Sequence, residues 1–349
     1  MTGFRIGQDI KLEATYGPPP WKDLFDALRQ TKEAGLEGVN VRTLYEVSPT
    51  LDRALLADAA ELARELDLYL ELGVGKVNPY MTAEYPHIRA LGEGGYLEGM
   101  RRLVLAAAEM GVTELWTATG GFKPRYRGLH ATDRFRAEAP WPDQLAATAA
   151  LLHRLAPVLR DTGVHLNLET HEEITTFELV RLVEDVGPDV LGICFDSANV
   201  AVRGEDPMAA VRRVAPYVRS TQLRDAALCF TADGISRFLA PCGEGVIDWA
   251  LLLGELADRA PVRNLTIEAI GGLRAEMTLH PYDDAWRAGH PDLTVAELAG
   301  LFRLTRVYEA SGRPGLEELR HGTQPTFAGF TAACAAHLRT VLTERETRP

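Results

Sequence analysis

The stretch Val164-His-Leu-Asn-Leu-Glu-Thr-His171 is an apolar run that ends in a carboxylate and is followed at once by a histidine. Two further runs end in an acid in the same way, Leu191-Gly-Ile-Cys-Phe-Asp196 and Asn264-Leu-Thr-Ile-Glu268. Short apolar runs rich in β-branched residues are typical of buried strands. The sequence therefore predicts three buried strands, each with an acidic side chain at its carboxyl end.

These runs belong to a longer alternation of strand and helix patterns. Between the strand-like runs lie segments with a 3.6-residue apolar repeat, and several of these segments end at a glycine. The strand-like runs are apolar throughout, which is typical of strands that helices cover on both faces. Eight strands are predicted: Phe4–Asp9, Gly38–Arg42, Leu68–Leu72, Glu114–Thr117, His165–Glu169, Leu191–Phe195, Val218–Gln222 and Asn264–Glu268. This pattern predicts an α/β fold, a single (β/α)8 TIM barrel with extra C-terminal helices. A doubly wound open sheet is disfavoured because the sequence has no GxGxxG turn.

The composition limits the class of protein. The chain has 349 residues, 46% of them hydrophobic, and we expect one domain over residues 1–349, with the barrel at about 4–275 and a helical extension at about 290–345. The net charge of −12 argues against binding to nucleic acid. No apolar run reaches the roughly 18 residues that cross a membrane, and the first residues show no signal-peptide pattern. With four cysteines and no CxxC pair, the sequence predicts a cytoplasmic protein.

The acidic strand ends are expected to share one cavity. In a (β/α)8 barrel the loops after the strand C-termini form the mouth, and here the closing residues are Glu169, Asp196, Gln222 and Glu268. Like charges about 4 Å apart repel by about 4 kcal/mol at an effective dielectric of 20. Arg224 could neutralise one acid but not three, so the sequence favours a divalent cation as the group that compensates the three negative charges. An all-oxygen ligand set favours Mn²⁺ or Mg²⁺ over Zn²⁺.

Five short motifs follow one another in strand order: Leu168-Glu169, Phe195-Asp196-Ser-Ala-Asn199, Thr221-Gln222-Leu-Arg-Asp225, Gly243-Glu-Gly-Val-Ile-Asp248 and Ile267-Glu268. This series resembles the xylose isomerase-like TIM-barrel superfamily of sugar isomerases and epimerases. The resemblance implies that the four closing residues hold a metal ion, and that Glu169 and Glu268 also transfer a proton. The third metal ligand of this superfamily is usually a histidine, where this chain has Gln222. Asn199 also stands where histidine is frequent in the superfamily.

Five further residues face the same mouth by their position and are candidate substrate contacts: His171, Asn199, Arg224, Trp116 and Lys76. Some of them have a structural alternative. His171 can instead bond the loop backbone, and Trp116 can pack at the barrel rim. Arg224 can pair with a neighbouring aspartate. Asn199 can hold a hydroxyl group but cannot carry a proton, because an amide does not titrate.

Together these features predict a metal-dependent sugar isomerase or epimerase that works through an enediolate intermediate. A metal-dependent lyase or dehydratase on a keto-sugar, an inosose or a 3-keto-glycoside is the alternative, because elimination passes through the same intermediate. A non-catalytic sugar-binding barrel with a weakened metal site is a further alternative, which Gln222 keeps open. The expected partner is a small sugar or keto-sugar, without nucleic acid or membrane, and a homo-oligomer stays open.

Overall fold

The computed structural model describes residues 3–13, 20–123, 125–126 and 128–347. The strands in these residues are β1 (Arg5–Ile10), β2 (Gly38–Val41), β3 (Tyr69–Gly73), β4 (Glu114–Thr117), β5 (His165–Glu169), β6 (Leu191–Asp196), β7 (Val218–Gln222), β8 (Asp225–Thr231), β9 (Gly234–Ala240), β10 (Asn264–Ile267) and β11 (Met277–Leu279). Eight of them form one sheet in the order β10-β1-β2-β3-β4-β5-β6-β7. All the pairings within this sheet are parallel.

The two ends of the eight-stranded sheet meet and close a barrel. β7 and β10 approach each other at a parallel bridge between Leu223 and Ile267. The backbone N–H of Leu223 donates to the carbonyl of Thr266 at 2.7 Å. The predicted (β/α)8 barrel is therefore confirmed, and the bounds of each predicted strand agree with the structure to within one residue. Such agreement is expected where strands are short, apolar and separated by long helices.

The helices in the described residues surround the barrel or extend it. They are α1 (Leu24–Glu33), α2 (Leu44–Val47), α3 (Arg53–Glu65), α4 (Pro86–Leu91), α5 (Tyr96–Glu109), α6 (Trp141–Thr162), α7 (Thr176–Val186), α8 (Pro207–Val214), α9 (Trp249–Arg259), α10 (Asp284–Ala288), α11 (Val295–Glu309), α12 (Leu316–His321) and α13 (Phe327–Thr347). Local signals set several of their ends. Thr175 and Glu178 form a capping box at the start of α7, and Gly163 ends α6 with a φ of 69°. Within the described part of the chain, no helix has both the length and the apolar character that crossing a membrane requires.

A second, three-stranded sheet was not predicted from the sequence; its strands β8 and β9 lie in the connection after β7, and β11 follows β10. β8 and β9 form an antiparallel hairpin, and β11 pairs with the other edge of β9. Almost every residue of the two hairpin strands is buried, so the strands lack the alternation that would have revealed them. The available signal was the Asp233-Gly234 dipeptide at the hairpin turn. Gly234 has a φ of 146°, a conformation that favours glycine.

The predicted extra C-terminal helices are present, and they pack directly on the barrel. Phe330, Cys334 and Leu338 on α13 are fully buried, and α13 contacts β1, β10 and α9. The rings of Trp21 and Phe327 meet edge to face at 5.3 Å. α11 packs against β8 of the second sheet. The C-terminal helices therefore share their apolar core with the barrel wall.

His290 links the stability of this fold to pH. Its Nδ1 lies 2.6 Å from the carbonyl oxygen of Trp286, and its Nε2 lies 3.2 Å from Nη1 of Arg203. Burial, together with the charges of Arg203 and Arg134, lowers the pKa of His290 from 6.5 to about 2. Below pH 6.5 His290 is therefore neutral in the folded state and protonated in the unfolded state. Its contribution makes the protein less stable as the pH falls.

We expect His290 alone to lower the free energy of unfolding by up to about 1.4 kcal/mol per pH unit below its ordinary pKa. His290→Gln removes the titrating group, so urea unfolding between about pH 7 and about pH 5 should show a shallower loss of stability than wild type. His321→Gln, at an exposed position, is the matched control and should follow wild type. Equal pH slopes for wild type and His290→Gln would contradict this account.

Candidate functional site

Three acidic side chains meet at the carboxyl ends of barrel strands. Glu169 closes β5, Asp196 closes β6, and Glu268 directly follows β10. One carboxylate oxygen of each lies within 4.8 Å of the other two. Glu169 and Asp196 are buried, and the Glu268 side chain is 12% exposed. The structure thus brings together the three carboxylates that the strand pattern singled out.

Glu169 is held by one hydrogen bond to each of its oxygen atoms. Nε1 of Trp116 donates to Oε2 at 3.1 Å, and Nδ2 of Asn199 donates to Oε1 at 3.2 Å. Burial raises the pKa of Glu169 to about 8, although the nearby His171 opposes the rise. At neutral pH this carboxyl group therefore holds a proton, which lowers the repulsion among the three acids.

Arg224 lies between the other two acids. Its Nη2 donates to Oδ2 of Asp196 and lies 2.7 Å from Oε2 of Glu268, with which it forms an ion pair. Lys11 Nζ donates to Oε1 of Glu268 at 2.8 Å. Burial alone would raise the pKa of Glu268, but Arg224 and Lys11 hold it at about 2, whereas burial raises the pKa of Asp196 to about 6. One guanidinium nitrogen thus contacts two carboxylates, although its single positive charge offsets only one negative charge.

Lys11 and Asp9 belong to the same rim, although the sequence pattern did not select them. Lys11 Nζ lies 3.4 Å from Oδ2 of Asp9, and burial raises the pKa of Asp9 to about 7. Oδ1 of Asp9 is buried and makes no hydrogen bond to any described residue. The signal that could have found them is their place at the carboxyl end of β1, the edge where the other strand ends meet.

The oxygen atoms at this rim fit a divalent cation. Gln222 closes β7 opposite Asp196 in the strand register, and its Oε1 is buried without a hydrogen-bond partner in the part of the chain that the structure describes. This carbonyl oxygen and the three carboxylates make up the all-oxygen donor set that Mg²⁺ and Mn²⁺ prefer. A guanidinium and a cation cannot both lie between Asp196 and Glu268, so an ion can bind there only if Arg224 withdraws.

His171 is surrounded by acids. Its Nδ1 lies 2.6 Å from Oε2 of Glu173 and 2.9 Å from Oε2 of Glu172, and its Nε2 lies 3.9 Å from Oε2 of Glu169. Burial alone would lower the pKa of His171, but Glu172 and Glu173 raise it well above its ordinary value. His171 is therefore a cation on the cavity wall, where it can contact an oxygen of a bound molecule.

Asn199 lies behind Glu169, although a direct contact to substrate was predicted for it. It is fully buried: its Nδ2 donates to Glu169, and its Oδ1 accepts from Nη2 of Arg237 at 3.3 Å. Arg237 comes from β9, in the sheet that the sequence did not predict. Because both ends of the Asn199 amide are engaged inside the protein, this side chain positions Glu169.

The carboxyl groups open onto a cavity of about 360 Å³. Its wall includes Glu169, Glu268, His171, Gln222, Arg224, Trp116 and Lys76. Nζ of Lys76 lies 4.4 Å from the centroid of the Trp116 ring, in a cation–π contact. Acids, cations and aromatic faces on a single wall suit a small, polar molecule.

Comparison with known proteins identifies the family of this barrel. Residues 28–288, more than half of the chain, match the family described as xylose isomerase-like TIM barrel. The chain belongs to this family. The match begins within α1 and ends with α10, so it includes the ends of β5, β6, β7 and β10, where the site lies.

Two curated relatives of this xylose isomerase-like chain match part of it. The uncharacterized protein YihM of Escherichia coli (strain K12) is 27% identical over 121 residues, which are 35% of this chain and 37% of YihM. The 3-oxo-isoapionate decarboxylase of Pectobacterium atrosepticum is 27% identical over 105 residues, which are 30% of this chain and 38% of that protein. The matched part thus spans well under half the length of these relatives.

Solved structures share the fold over most of the chain. D-psicose 3-epimerase, crystallised in the presence of D-fructose, superposes with a TM-score of 0.55 and 15% identity over 91% of this chain and 99% of its own. The IOLI protein with a binding zinc atom gives a TM-score of 0.54 and 14% identity over 88% of this chain and 97% of its own. At such low identities the likeness establishes the fold alone.

Removing Arg224 should strengthen the binding of divalent cations. In Arg224→Met the gap between Asp196 and Glu268 opens, and two acids lose their cationic partner. We expect a lower Tm than wild type without added metal and a larger rise in Tm with Mn²⁺, because a ligand that binds the folded state stabilises it. Thermal unfolding with and without Mn²⁺ measures both effects.

Arg219→Met is the matched control for this experiment. It breaks another arginine–glutamate pair, between Arg219 and Glu114 at 3.1 Å, at the amino end of the barrel strands. This variant should show the wild-type response to Mn²⁺. If wild type and Arg224→Met gain equally in Tm, the guanidinium and the ion do not compete for one place.

Proposed function

We propose that this protein is a metal-dependent sugar isomerase or epimerase that acts through an enediolate intermediate. The observation that carries the proposal is a pair of carboxyl groups, Glu169 and Glu268, which reach one cavity from β5 and from the end of β10. A substrate carbon between two such groups can lose a proton to one and regain a proton from the other. Return of the proton to the opposite face gives an epimer, and return to the neighbouring carbon gives an isomer.

The neighbours of the two carboxyl groups fix their directions. The oxygen atoms of Glu169 accept hydrogen bonds from Trp116 and Asn199, and two cationic side chains hold the oxygen atoms of Glu268. Groups that are fixed in this way lose little freedom when the substrate reacts. The positive charge of His171 on the cavity wall would stabilise the negative charge that develops on the substrate oxygen as the proton leaves.

A divalent cation is the cofactor in this proposal. Glu169, Asp196, Glu268 and Oε1 of Gln222 would hold it, and the buried, unpartnered state of that amide oxygen supports the assignment. When bound, the ion would supply a Lewis acid that makes the hydrogen beside a substrate carbonyl more acidic. The zinc named for the IOLI protein and the activity named for D-psicose 3-epimerase support the same chemistry.

A lyase or dehydratase acting on a keto-sugar, an inosose or a 3-keto-glycoside is the second candidate. Its support is the names of two curated relatives, 3-oxo-isoapionate decarboxylase and inosose dehydratase 1. For a dehydratase the first step would be the same, because an enediolate that carries a leaving group on the next carbon can expel it. A decarboxylase would instead form the enolate by losing carbon dioxide. The two candidates therefore differ in the substrate and in the fate of the intermediate.

Solvent hydrogen exchange tests the proposed function. Protein supplied with Mn²⁺ is incubated in D₂O with a panel of aldoses, ketoses, keto-sugars and uronates, and NMR detects deuterium at the carbon beside the carbonyl. We expect exchange together with formation of an epimer or isomer. Glu169→Gln and Glu268→Gln should each slow the exchange by about 10²–10⁴-fold, because an amide can neither give nor take the proton.

Glu114→Gln, at the amino end of β4, is the matched control and should exchange at the wild-type rate. An enone or released carbon dioxide in place of an isomer would favour the lyase. If no member of the panel exchanges or reacts, or if both glutamine variants exchange as fast as wild type, the proposed function is refuted.

A further inference from the structure

Lys76 is a buried cation in the loop after β3. The residue is 8% exposed and lines the cavity that Glu169 also faces. Its Nζ lies over the Trp116 ring, and no carboxylate oxygen of the described residues lies within 4.0 Å of it. A cation–π contact offsets only part of the cost of taking an ammonium group out of water. Glu169 and Glu173 act on this charge at longer range, but among the described residues Lys76 has no directly paired carboxylate and can take an anion from a bound molecule.

The other lysine and arginine side chains on the described cavity wall differ from Lys76 in this respect. Lys11 contacts Glu268, and Arg224 bridges two acids. Arg42 Nη2 lies 2.6 Å from Oε1 of its neighbour on α2, Glu46. Among these lysine and arginine side chains of the described wall, Lys76, beside the Trp116 ring, is thus the one without a directly paired carboxylate.

We propose that the substrate of this site is an anionic sugar, a sugar acid whose carboxylate pairs with Lys76. This inference rests on the proposed function and names its substrate class. Trp116 connects the two parts of the site, since its ring face holds Lys76 and its Nε1 donates to Glu169. A carboxylate at Lys76 would hold the rest of the sugar in the cavity that Glu169 and Glu268 also line. The cavity of about 360 Å³ lies in the range of small-molecule sites.

A carboxylate fits Lys76 better than a phosphate does. One ammonium group matches a single negative charge, whereas phosphate sites usually combine an arginine fork or a helix N-terminus with other donors. The arginines on the described wall, Arg42 and Arg224, are already engaged with acids of the chain. A sugar phosphate is therefore the competing outcome that the experiment has to separate.

Binding of matched probes tests the proposal without catalysis. Isothermal titration calorimetry compares D-glucuronate with D-glucose, D-galacturonate with D-galactose, and D-mannuronate with D-mannose, and adds D-glucose 6-phosphate as the phosphate probe. We expect wild type to bind the acid of at least one pair about tenfold or more tightly than the neutral sugar, because an ion pair adds a charge-assisted hydrogen bond. Added salt should weaken the acid and leave the neutral sugar unchanged.

Three variants separate charge from structure. Lys76→Met should lose the preference for the acid and keep the affinity for the neutral sugar, and Lys76→Arg, which keeps the charge, should retain part of the preference. Lys22→Met removes an equal charge at an exposed position outside the cavity wall and should bind as wild type does. If Lys76→Met does not fold, Lys76→Arg and the salt dependence of wild type decide the outcome.

The proposal is overturned if wild type binds no uronate more tightly than its neutral partner, or if the preference persists in Lys76→Met. Tighter binding of D-glucose 6-phosphate than of every uronate overturns the choice of a carboxylate. Because binding needs no proton transfer, the result is separate from that of the exchange experiment. A preference that depends on Lys76 without any deuterium exchange supports the anion site and refutes the isomerase, and the reverse pattern refutes the anion site alone.

Discussion

The repulsion among three carboxyl groups at one buried rim is the constraint on which the rest of the site depends. Glu169, Asp196 and Glu268 place oxygen atoms within 4.8 Å of one another, a separation at which three like charges would repel by several kcal/mol in all. Two cations, Arg224 and Lys11, and a proton on Glu169 reduce this repulsion. Burial raises the pKa of Glu169 to about 8. A divalent ion would replace part of this compensation, since it needs the place that Arg224 takes.

The compensation leaves the two candidate acid–base groups in different states. Burial keeps Glu169 protonated, while two cations keep the pKa of Glu268 at about 2 and the group ionised. Two carboxyl groups whose environments separate their pKa values are the arrangement in which one donates and the other accepts a proton. The same cavity carries the aromatic face of Trp116 and the charge of Lys76, and Trp116 Nε1 donates to Glu169, so the proposed anion contact lies beside one of the two reacting groups.

The sequence predicted the barrel and the convergence of the acids because both follow from local pattern. Apolar runs that end in Glu169, Asp196 and Glu268 are visible without any knowledge of distant contacts, and in a barrel their ends must meet. The bridge made by Arg224 and the contact of Lys11 could not be predicted, because they depend on side-chain directions across 44 and 257 residues of chain. The hairpin of β8 and β9 was not predicted for a related reason. Its strands are buried on both faces, and its partner strand β11 lies far along the sequence.

The most direct test of this account is a crystal structure of the protein grown with MnCl₂, with anomalous scattering recorded for manganese. The account predicts one manganese peak bound by oxygen atoms of Glu169, Asp196, Gln222 and Glu268, with the Arg224 guanidinium withdrawn from the gap between the two acids that it bridges. A map without manganese at this rim, in which Arg224 still contacts Asp196 and Glu268, would contradict the metal-dependent chemistry and leave only the barrel and its internally neutralised acids.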